Sequence, residues 1–391
     1  MRQLSILAVG VVALICLQCV SSFKLVCYFT NWSQYRESSG RFLSGDTDPN
    51  LCTHIIYAFA NIKDNQLVHT EWNDDTTYAD VNNLKRSNPN LKTLLSVGGY
   101  LLGAEPFSNL TSPRRRSDFI ISAMQFLRTK NFDGLDLAWH SPKYSDKSRL
   151  ADLVKDLSIQ FKHEAQDQRK AKLILSVAVP AGKEKIDTGY DITTISEYAD
   201  FLNFLTFDFH GSWESHTGHL SPLQKGKTDT GSASYYNVDY AVKYLMGKGA
   251  SAEKIIMGLP TYGRTFTLSS SLTTVGAPTS GGGTSGEYTK EPGMRAYYEI
   301  CHFNVGATKE WIEEQAVPYS YKGNQWVGYE DVTSIQKKVQ YMKNNRLGGV
   351  MIWTLDLDDF SGSFCNQGKY PLVGAAKTEL EKQPFFSKGQ K

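Results

Sequence analysis

Beyond residue 22 the sequence has no run of 18 uninterrupted apolar residues, so nothing in that portion reads as a membrane-spanning helix. It also lacks an excess of charge of either sign. Lys and Arg number 42 against 40 Asp and Glu, and the net charge of +2 gives no broad basic field to attract nucleic acid. The Arg114-Arg115-Arg116 run is a local patch and reads as the solvated start of a helix. No C-x-x-C beyond residue 22 and no H-x-x-x-H occurs, so neither a zinc site nor any cofactor is expected. Internal repeats are absent, and low complexity is confined to a glycine loop at Gly281-Gly282-Gly283.

What is present begins with an export signature. Arg2 precedes an apolar run from Leu4 to Leu17, and small residues follow at Val20, Ser21 and Ser22. Residues 1–22 are therefore expected to be a signal peptide, and the mature chain to be secreted, soluble and monomeric. Cys16 and Cys19 would leave with the signal. The remainder, Cys27, Cys52, Cys301 and Cys365, is an even set in an oxidising compartment, which favours two disulfides. Of three possible connectivities, Cys27–Cys52 with Cys301–Cys365 closes the shortest loops and is the expected one. Two N-glycosylation sequons occur, at Asn31 and Asn109. Asn109 lies in a polar loop and is the better acceptor; Asn31 directly follows an apolar run and is placed in a cleft.

Eight apolar, β-branched or aromatic runs recur, at 24–30, 54–60, 92–98, 132–139, 173–180, 201–209, 254–263 and 348–356. Most are continuously apolar, as suits parallel strands buried on both faces. Amphipathic helical patterns lie between many of them, with Phe119, Ile120, Ala123, Phe126 and Leu127 sharing one face, and Leu150, Leu153, Val154, Leu157 and Phe161 another. "YYNVDYAVKYLMGKG" and "DVTSIQKKVQYMKNN" behave likewise. Alternation of this kind predicts an α/β fold of (β/α)8 barrel type, formed by residues 23–263 and 331–391. Residues 264–330 are too long for a simple connection. Their alternating strand patterns and turn residues predict a small α+β insertion forming one wall of a cleft.

In such barrels functional residues gather at the C-terminal strand ends. There this sequence places Asn31 and Trp32, Glu71 and Trp72, "SVGGYLLG", "TFDFHGSW", "PTYGRTF" and "MIWTLD". Rings with sparse polar groups suit sugars, whose faces are apolar and whose edges carry hydroxyls. Covering about 100 Å² of a sugar face at about 25 cal/mol per Å² yields about 2.5 kcal/mol per stacked ring. Three or four rings, after association costs, reach about micromolar affinity. The fourth run, "NFDGLDLAWHSP", carries Asp133 and Asp136 and then departs from its own pattern. Two-residue spacing from Asp136 leads to Ala138 and His140, and neither is acidic.

The motifs "YFTNW", "LLSVGG", "FDGLDL", "DFHGSW", "PTYGRTFTL" and "GGVMIW" resemble, in order, the strand ends of glycoside hydrolase family 18, the chitinases. The resemblance covers the whole mature chain and is strongest to the chitinase-like lectins of that family. Active members carry D-G-x-D-x-D-x-E on strand four. The Glu protonates the glycosidic oxygen while the substrate's own N-acetyl carbonyl attacks the anomeric carbon, and the third Asp orients the acetamide. Here Ala138 stands for the orienting Asp and His140 for the acid. Phe207 replaces a Tyr whose hydroxyl would hold the acetamide, Ser141 replaces a usual Tyr, and Tyr100 a usual Trp. The resemblance implies a chitooligosaccharide groove with Trp353 as its floor and Asp208 as a ligand contact. Tyr100, Leu101, Glu71 and Trp72 would line one side, and Tyr262, Arg264 and Trp213 the other. Trp32 and Tyr28 would lie towards the non-reducing end, and Phe59, Gly98, Gly99, Leu205, Thr206 and Phe207 would complete the lining. Asp133 and Asp136 are read as structural remnants.

A general acid contributes roughly 10²–10⁴ in rate. Its loss together with two positioning groups points to binding without cleavage. Two other readings remain open: residual hydrolysis or transglycosylation through His140, and a protein- or matrix-binding factor with a vestigial groove. Sulfated glycans would need clustered cations, and "KYSDKSRL" spaces its cations with Asp146.

Overall fold

The computed structural model describes residues 23–382 apart from Thr228; the expected signal peptide lies outside the described residues. Eight parallel strands form a closed barrel: β1 (Lys24–Thr30), β2 (His54–Lys63), β3 (Lys92–Gly98), β4 (Gly134–Ala138), β5 (Ile174–Pro180), β6 (Phe201–Leu205), β7 (Ile255–Pro260) and β8 (Gly349–Trp353). Closure comes from β1, which pairs with β8 at Lys24↔Gly349 and with β2 at Val26↔His54. This is the (β/α)8 fold that the alternating pattern predicts. The two-residue side-chain period divides each strand between two cores. Val26, Tyr28, Ile56, Ala58, Leu94, Phe201, Ile256 and Met351 fill the barrel interior. Leu25, Cys27, Phe29, Ile55, Tyr57, Leu135, Leu137 and their equivalents face the helices.

The outer layer includes α1 (Asp74–Ser87), α2 (Pro113–Thr129), α3 (Lys147–Gln168), α4 (Lys183–Gly189), α5 (Ile192–Tyr198), α6 (Val238–Gly247), α7 (Val332–Asn344) and α8 (Pro371–Glu381). Ser112 caps α2, Asn237 caps α6 and Asp331 caps α7, each side chain accepting a first-turn amide N–H. Disulfides join Cys27 to Cys52 and Cys301 to Cys365.

A second, antiparallel sheet follows β7. It is built from Tyr262–Leu268, Thr279–Gly282, Thr308–Ile312, Val317–Lys322 and Gln325–Gly328, with Met294–Ala296 paired off that path and a helix at Tyr297–Phe303. Phe266, Leu268, Val317, Tyr319 and Trp326 give it a core of its own. Tyr262 and Gly263, read from sequence as the end of the seventh barrel strand, belong to this second sheet. The chain bends between them and Pro260, where the Thr261 hydroxyl donates to the Thr354 carbonyl (2.6 Å) and accepts the Thr354 N–H (3.0 Å). The sixth strand is shorter than predicted for a similar reason: Thr206 N–H turns back to the Phe204 carbonyl, and Asp208 is left-handed at φ 57°.

Where the insertion returns to the barrel, buried Lys338 on α7 donates to Glu330 and to the Ser221 carbonyl and hydroxyl. Beside it, His219 uses both ring nitrogens: Nε2 meets the Tyr329 carbonyl at 2.8 Å, and Nδ1 accepts the Ser221 N–H at 3.0 Å. That arrangement admits only a neutral ring. Burial, and secondarily the Lys338 charge, push His219 down to about 3. The unfolded ring binds a proton near pH 6.5, so folding stability from His219 is lost as pH falls below that value. The stability advantage of the native chain over a His219→Gln variant should shrink by roughly 2 kcal/mol between pH 7 and 5 in urea unfolding. A pH-independent difference would show that the ring is free to protonate in the fold.

Candidate functional site

The C-terminal mouth of the barrel is floored by Trp353, the last residue of β8. Tyr28, Phe59 and Phe207 surround it, with ring centroids 4.9, 6.1 and 6.4 Å away. Trp32 extends the row, stacked on Phe59 at 5.8 Å and 19°. Trp353 is held in place from its C-terminal side, because its carbonyl accepts the Thr261 N–H at 3.0 Å. The rim is aromatic and open. Trp72 is 85% exposed, Tyr100 83%, Leu101 97% and Trp213 59%, so these side chains have little packing to give up on binding.

The loops that carry these groups are tied down by buried carboxylates. Asp356, after β8, accepts from the Thr30 hydroxyl (2.8 Å) and pairs with Arg36 (2.7 Å), which fixes the loop bearing Trp32. Asp74, at the start of α1, accepts from Tyr57 (2.6 Å), from the N–H groups of Thr70 (2.8 Å) and Glu71 (2.9 Å), and from Asn31 (3.3 Å). That bundle sets the Glu71-Trp72 corner, where Glu71 also accepts from the Tyr35 hydroxyl at 2.5 Å. Asn31 is buried, and its amide donates to Phe59 O and the Thr70 hydroxyl; Asn109 is exposed.

Along β4 the alternation puts Leu135, Leu137 and Trp139 outward, in the core shared with the helices. Asp136, Ala138 and His140 therefore form one line rising through the barrel towards the groove. Asp136 is fully buried, and both of its oxygens are occupied: Tyr28 (2.8 Å) and Ser96 (2.6 Å) donate to Oδ2, Ser176 (2.6 Å) and Asn203 (3.0 Å) to Oδ1. Burial, followed by the Asp136 charge, raises the Tyr28 hydroxyl well above its ordinary range, so it stays a donor. Asp133 sits at the other end of the strand. It precedes β4 and accepts the Thr93 N–H (2.8 Å) and Lys85 (3.1 Å), so it is not a strand-end group at the groove.

His140 is half-buried, meets the edge of Tyr100 at 6.4 Å, and has no side-chain hydrogen bond among the described residues. Burial, then the charge of Lys185, lowers its pKa, so the ring is neutral at physiological pH. Trp139 packs flat on Phe107 (4.9 Å, 11°) and its carbonyl accepts from Tyr190 (2.8 Å), which anchors the strand end bearing His140.

On the opposite wall Asp208 accepts two bonds from Arg264 (2.7 and 2.8 Å) and one from Tyr262 (2.8 Å). Burial opposes the Arg264 charge, but the Asp208 bonds and the neighbouring Tyr262, Asp208 and Glu291 together raise its pKa. The guanidinium also lies 5.4 Å from the Trp213 ring centre.

Several expected lining residues act behind the surface. Tyr28 is 1% exposed, Tyr262 3% and Thr206 fully buried, so none offers a face to a ligand. Their hydroxyls serve Asp136, Asp208 and the Gly258 carbonyl. Gly98 and Gly99 are buried as well. A Cβ on Gly98 would lie 2.3 Å from the Ala138 carbonyl oxygen, and one on Gly99 2.7 Å from the Phe59 ring, so both are needed for close approach. Phe59, Leu205, Phe207 and Trp353 remain partly open above the interior core. Sequence reasoning passed over Tyr35, Arg36, Asp74 and Lys185, and gave Asp356 no role beyond its place at the end of strand eight. It also missed Glu37, Lys290 and Glu291, which with Trp32 and Met294 line a cavity of about 330 Å³ against the insertion.

A closed parallel barrel whose mouth is an aromatic floor between polar walls defines a (β/α)8 protein with a groove at its C-terminal face. The family model for glycosyl hydrolases family 18 matches residues 24–358, and the chain belongs to that family. It is 50% identical over 374 residues to human chitinase-3-like protein 2, spanning 95% of this chain and 96% of that one. It is 48% identical to mouse chitotriosidase-1, over 95% of this chain and 81% of the relative. Among solved structures it matches human YKL-39, described as a pseudo-chitinase with retained chitooligosaccharide binding properties. That match has a TM-score of 0.91 and 49% identity, over 92% of this chain and 100% of the other. Overall identity hardly separates the first two relatives, so the residues of the groove must decide the function.

Proposed function

We propose that this chain is a secreted lectin that binds chitooligosaccharides in the groove and does not hydrolyse them. One observation carries the reading: the line Asp136–Ala138–His140 reaches an intact Trp353 floor without delivering a carboxylate to it. Ala138 cannot orient an acetamide, and Phe207 offers no hydroxyl to hold one. His140 is a poor acid, since its lowered pKa leaves it unprotonated at neutral pH and no carboxylate contacts it among the described residues. Asp208 is already ionically paired with Arg264, so it presents a fixed acceptor to the sugar amide.

In this reading Trp353 stacks under the central sugar. Trp32 and Trp72 extend the site to one side, and Tyr100, Leu101 and Trp213 form the rim. The match to a pseudo-chitinase that retains oligosaccharide binding supports it. So do the two disulfides, which suit export. Titrating a chitin hexasaccharide while following tryptophan emission should show saturable binding near micromolar. An unchanged spectrum at high micromolar ligand would remove the lectin reading and leave the groove vestigial.

Secretion also exposes Asn109 to glycosylation. Expressed through a secretory pathway, the chain should lose one glycan in an Asn109→Gln variant and none in Asn31→Gln, read as a mass shift. Asn31 modification would break its amide bonds to Phe59 and Thr70.

A further inference from the structure

Trp213 stands on the loop after β6, and that loop is stitched to the insertion. Thr217 N–H donates to the Ala277 carbonyl (2.9 Å), Gly276 N–H to the Thr217 carbonyl (2.9 Å) and Thr279 N–H to the Ser215 carbonyl (2.9 Å). Ser212 fits between two insertion glycines. A Cβ on Gly282 would lie 3.2 Å from the Ser212 Cβ, and one on Gly293 2.8 Å from the Ser212 hydroxyl. The chain between these contacts makes a tight turn. Glu214 N–H donates to the Gly211 carbonyl (3.0 Å), and the Glu214 carboxylate accepts from Gly211 N–H (3.3 Å) and meets His210 Nδ1 at 2.9 Å. The turn folds the Trp213 indole back over Gly211. A Cβ on Gly211 would lie 2.3, 2.3 and 2.9 Å from three carbons of the six-membered ring, its nearest contacts beyond the adjoining residues. Arg264, on the first strand of the insertion, holds the same ring at 5.4 Å and is itself fixed by Asp208. Trp213 is still 59% exposed, so the held ring keeps an open surface.

We infer that Gly211 is a positioning residue of the saccharide site: its bare Cα, on a turn locked to the insertion, seats the Trp213 ring in place before a ligand arrives. The inference rests on the lectin reading and deepens it, giving the insertion a part in binding beyond that of a wall. Gly211 is buried and acts only through the ring. A side chain already held in one orientation gives up little freedom when a sugar stacks on it, so less of the contact is spent on ordering. Any side chain at 211 occupies the place of the ring, and Trp213 must leave its seat. Gly211 lies outside the left-handed region, so alanine there strains no backbone angle and its effect falls on the indole.

The test is a double-mutant cycle read by calorimetric titration with a chitin hexasaccharide, using the native chain, Gly211→Ala, Trp213→Ala and the two substitutions together. Gly211→Ala should weaken binding about fivefold, and Trp213→Ala at least as much. In the double variant the loss should equal that of Trp213→Ala alone, because no ring is left to displace. Native affinity in Gly211→Ala overturns the inference, and so do losses that multiply in the double variant, since Gly211 then acts by another route. If Gly211→Ala does not fold, the double variant still decides. A folded double variant with the affinity of Trp213→Ala supports the seat, and an unfolded one contradicts it. If the native chain itself binds no hexasaccharide, the lectin reading fails and takes the inference with it; if it binds and the cycle is additive, only the inference fails.

Discussion

Replacing Trp353 with alanine should weaken binding of a chitin hexasaccharide by about 2–3 kcal/mol, a loss of roughly 30- to 150-fold. The indole contacts Tyr28, Phe59 and Phe207 and still presents open surface to the groove. Its removal deletes the ring at the floor of the groove and leaves a gap that water must fill. The same substitution removes packing from the top of the barrel core, so thermal unfolding has to be measured alongside. A folded variant with normal affinity would show that oligosaccharides do not lie across the barrel mouth. Trp72→Ala serves as a contrast. That ring is 85% exposed at the end of the row, so its loss should cost less and should matter only for longer ligands.

Restoring the two missing carboxylates, with Ala138→Asp and His140→Glu together, should recover detectable hydrolysis of a fluorogenic chitobioside. The recovered rate should stay at least about 100-fold below that of a hydrolytic relative assayed in parallel. The carboxylate introduced by Ala138→Asp would enter a buried site next in line after Asp136, whose oxygens are already held by Tyr28, Ser96, Ser176 and Asn203. Two adjacent carboxylates cannot both ionise cheaply, so one of them takes up a proton. What is still absent is a hydroxyl at Phe207, and adding Phe207→Tyr should raise turnover further by about tenfold. Full activity in the double variant would mean that Phe207 is irrelevant. No activity even in the triple variant would mean that the groove has diverged beyond these three positions.

Much of the architecture was legible because buried parallel strands are apolar on both faces and announce themselves as runs. The helices α2, α3, α6 and α7 were legible for the complementary reason, a single apolar stripe. The polar sequence of α1, "DDTTYADVNNLKRS", buries only Asp74, Tyr78, Val81 and Asn82, too few apolar residues to show a period. The hairpin that extends β2 had a readable signal. Asp64 and Asn65 adopt φ 51° and 59° between Asn61–Lys63 and Gln66–Val68, as a two-residue turn requires. At the site, strand-end position marked the aromatic floor correctly but could not tell a lining ring from a supporting one. Tyr28 and Trp353 lie on neighbouring strands and touch, yet one is sealed under the other. Depth of that kind comes from three-dimensional packing. So do the Arg36–Asp356 and Asn31–Asp74 ties, whose partners stand 320 and 43 residues apart.

Binding and the absence of cleavage can be read from one sample. The purified chain is titrated calorimetrically with a chitin hexasaccharide, held at saturation for a day, and the oligosaccharide is then recovered and sized by mass spectrometry. A single-site isotherm near micromolar is expected, with the ligand recovered entirely as hexasaccharide. Shorter fragments, absent in a His140→Ala control, would contradict binding without cleavage.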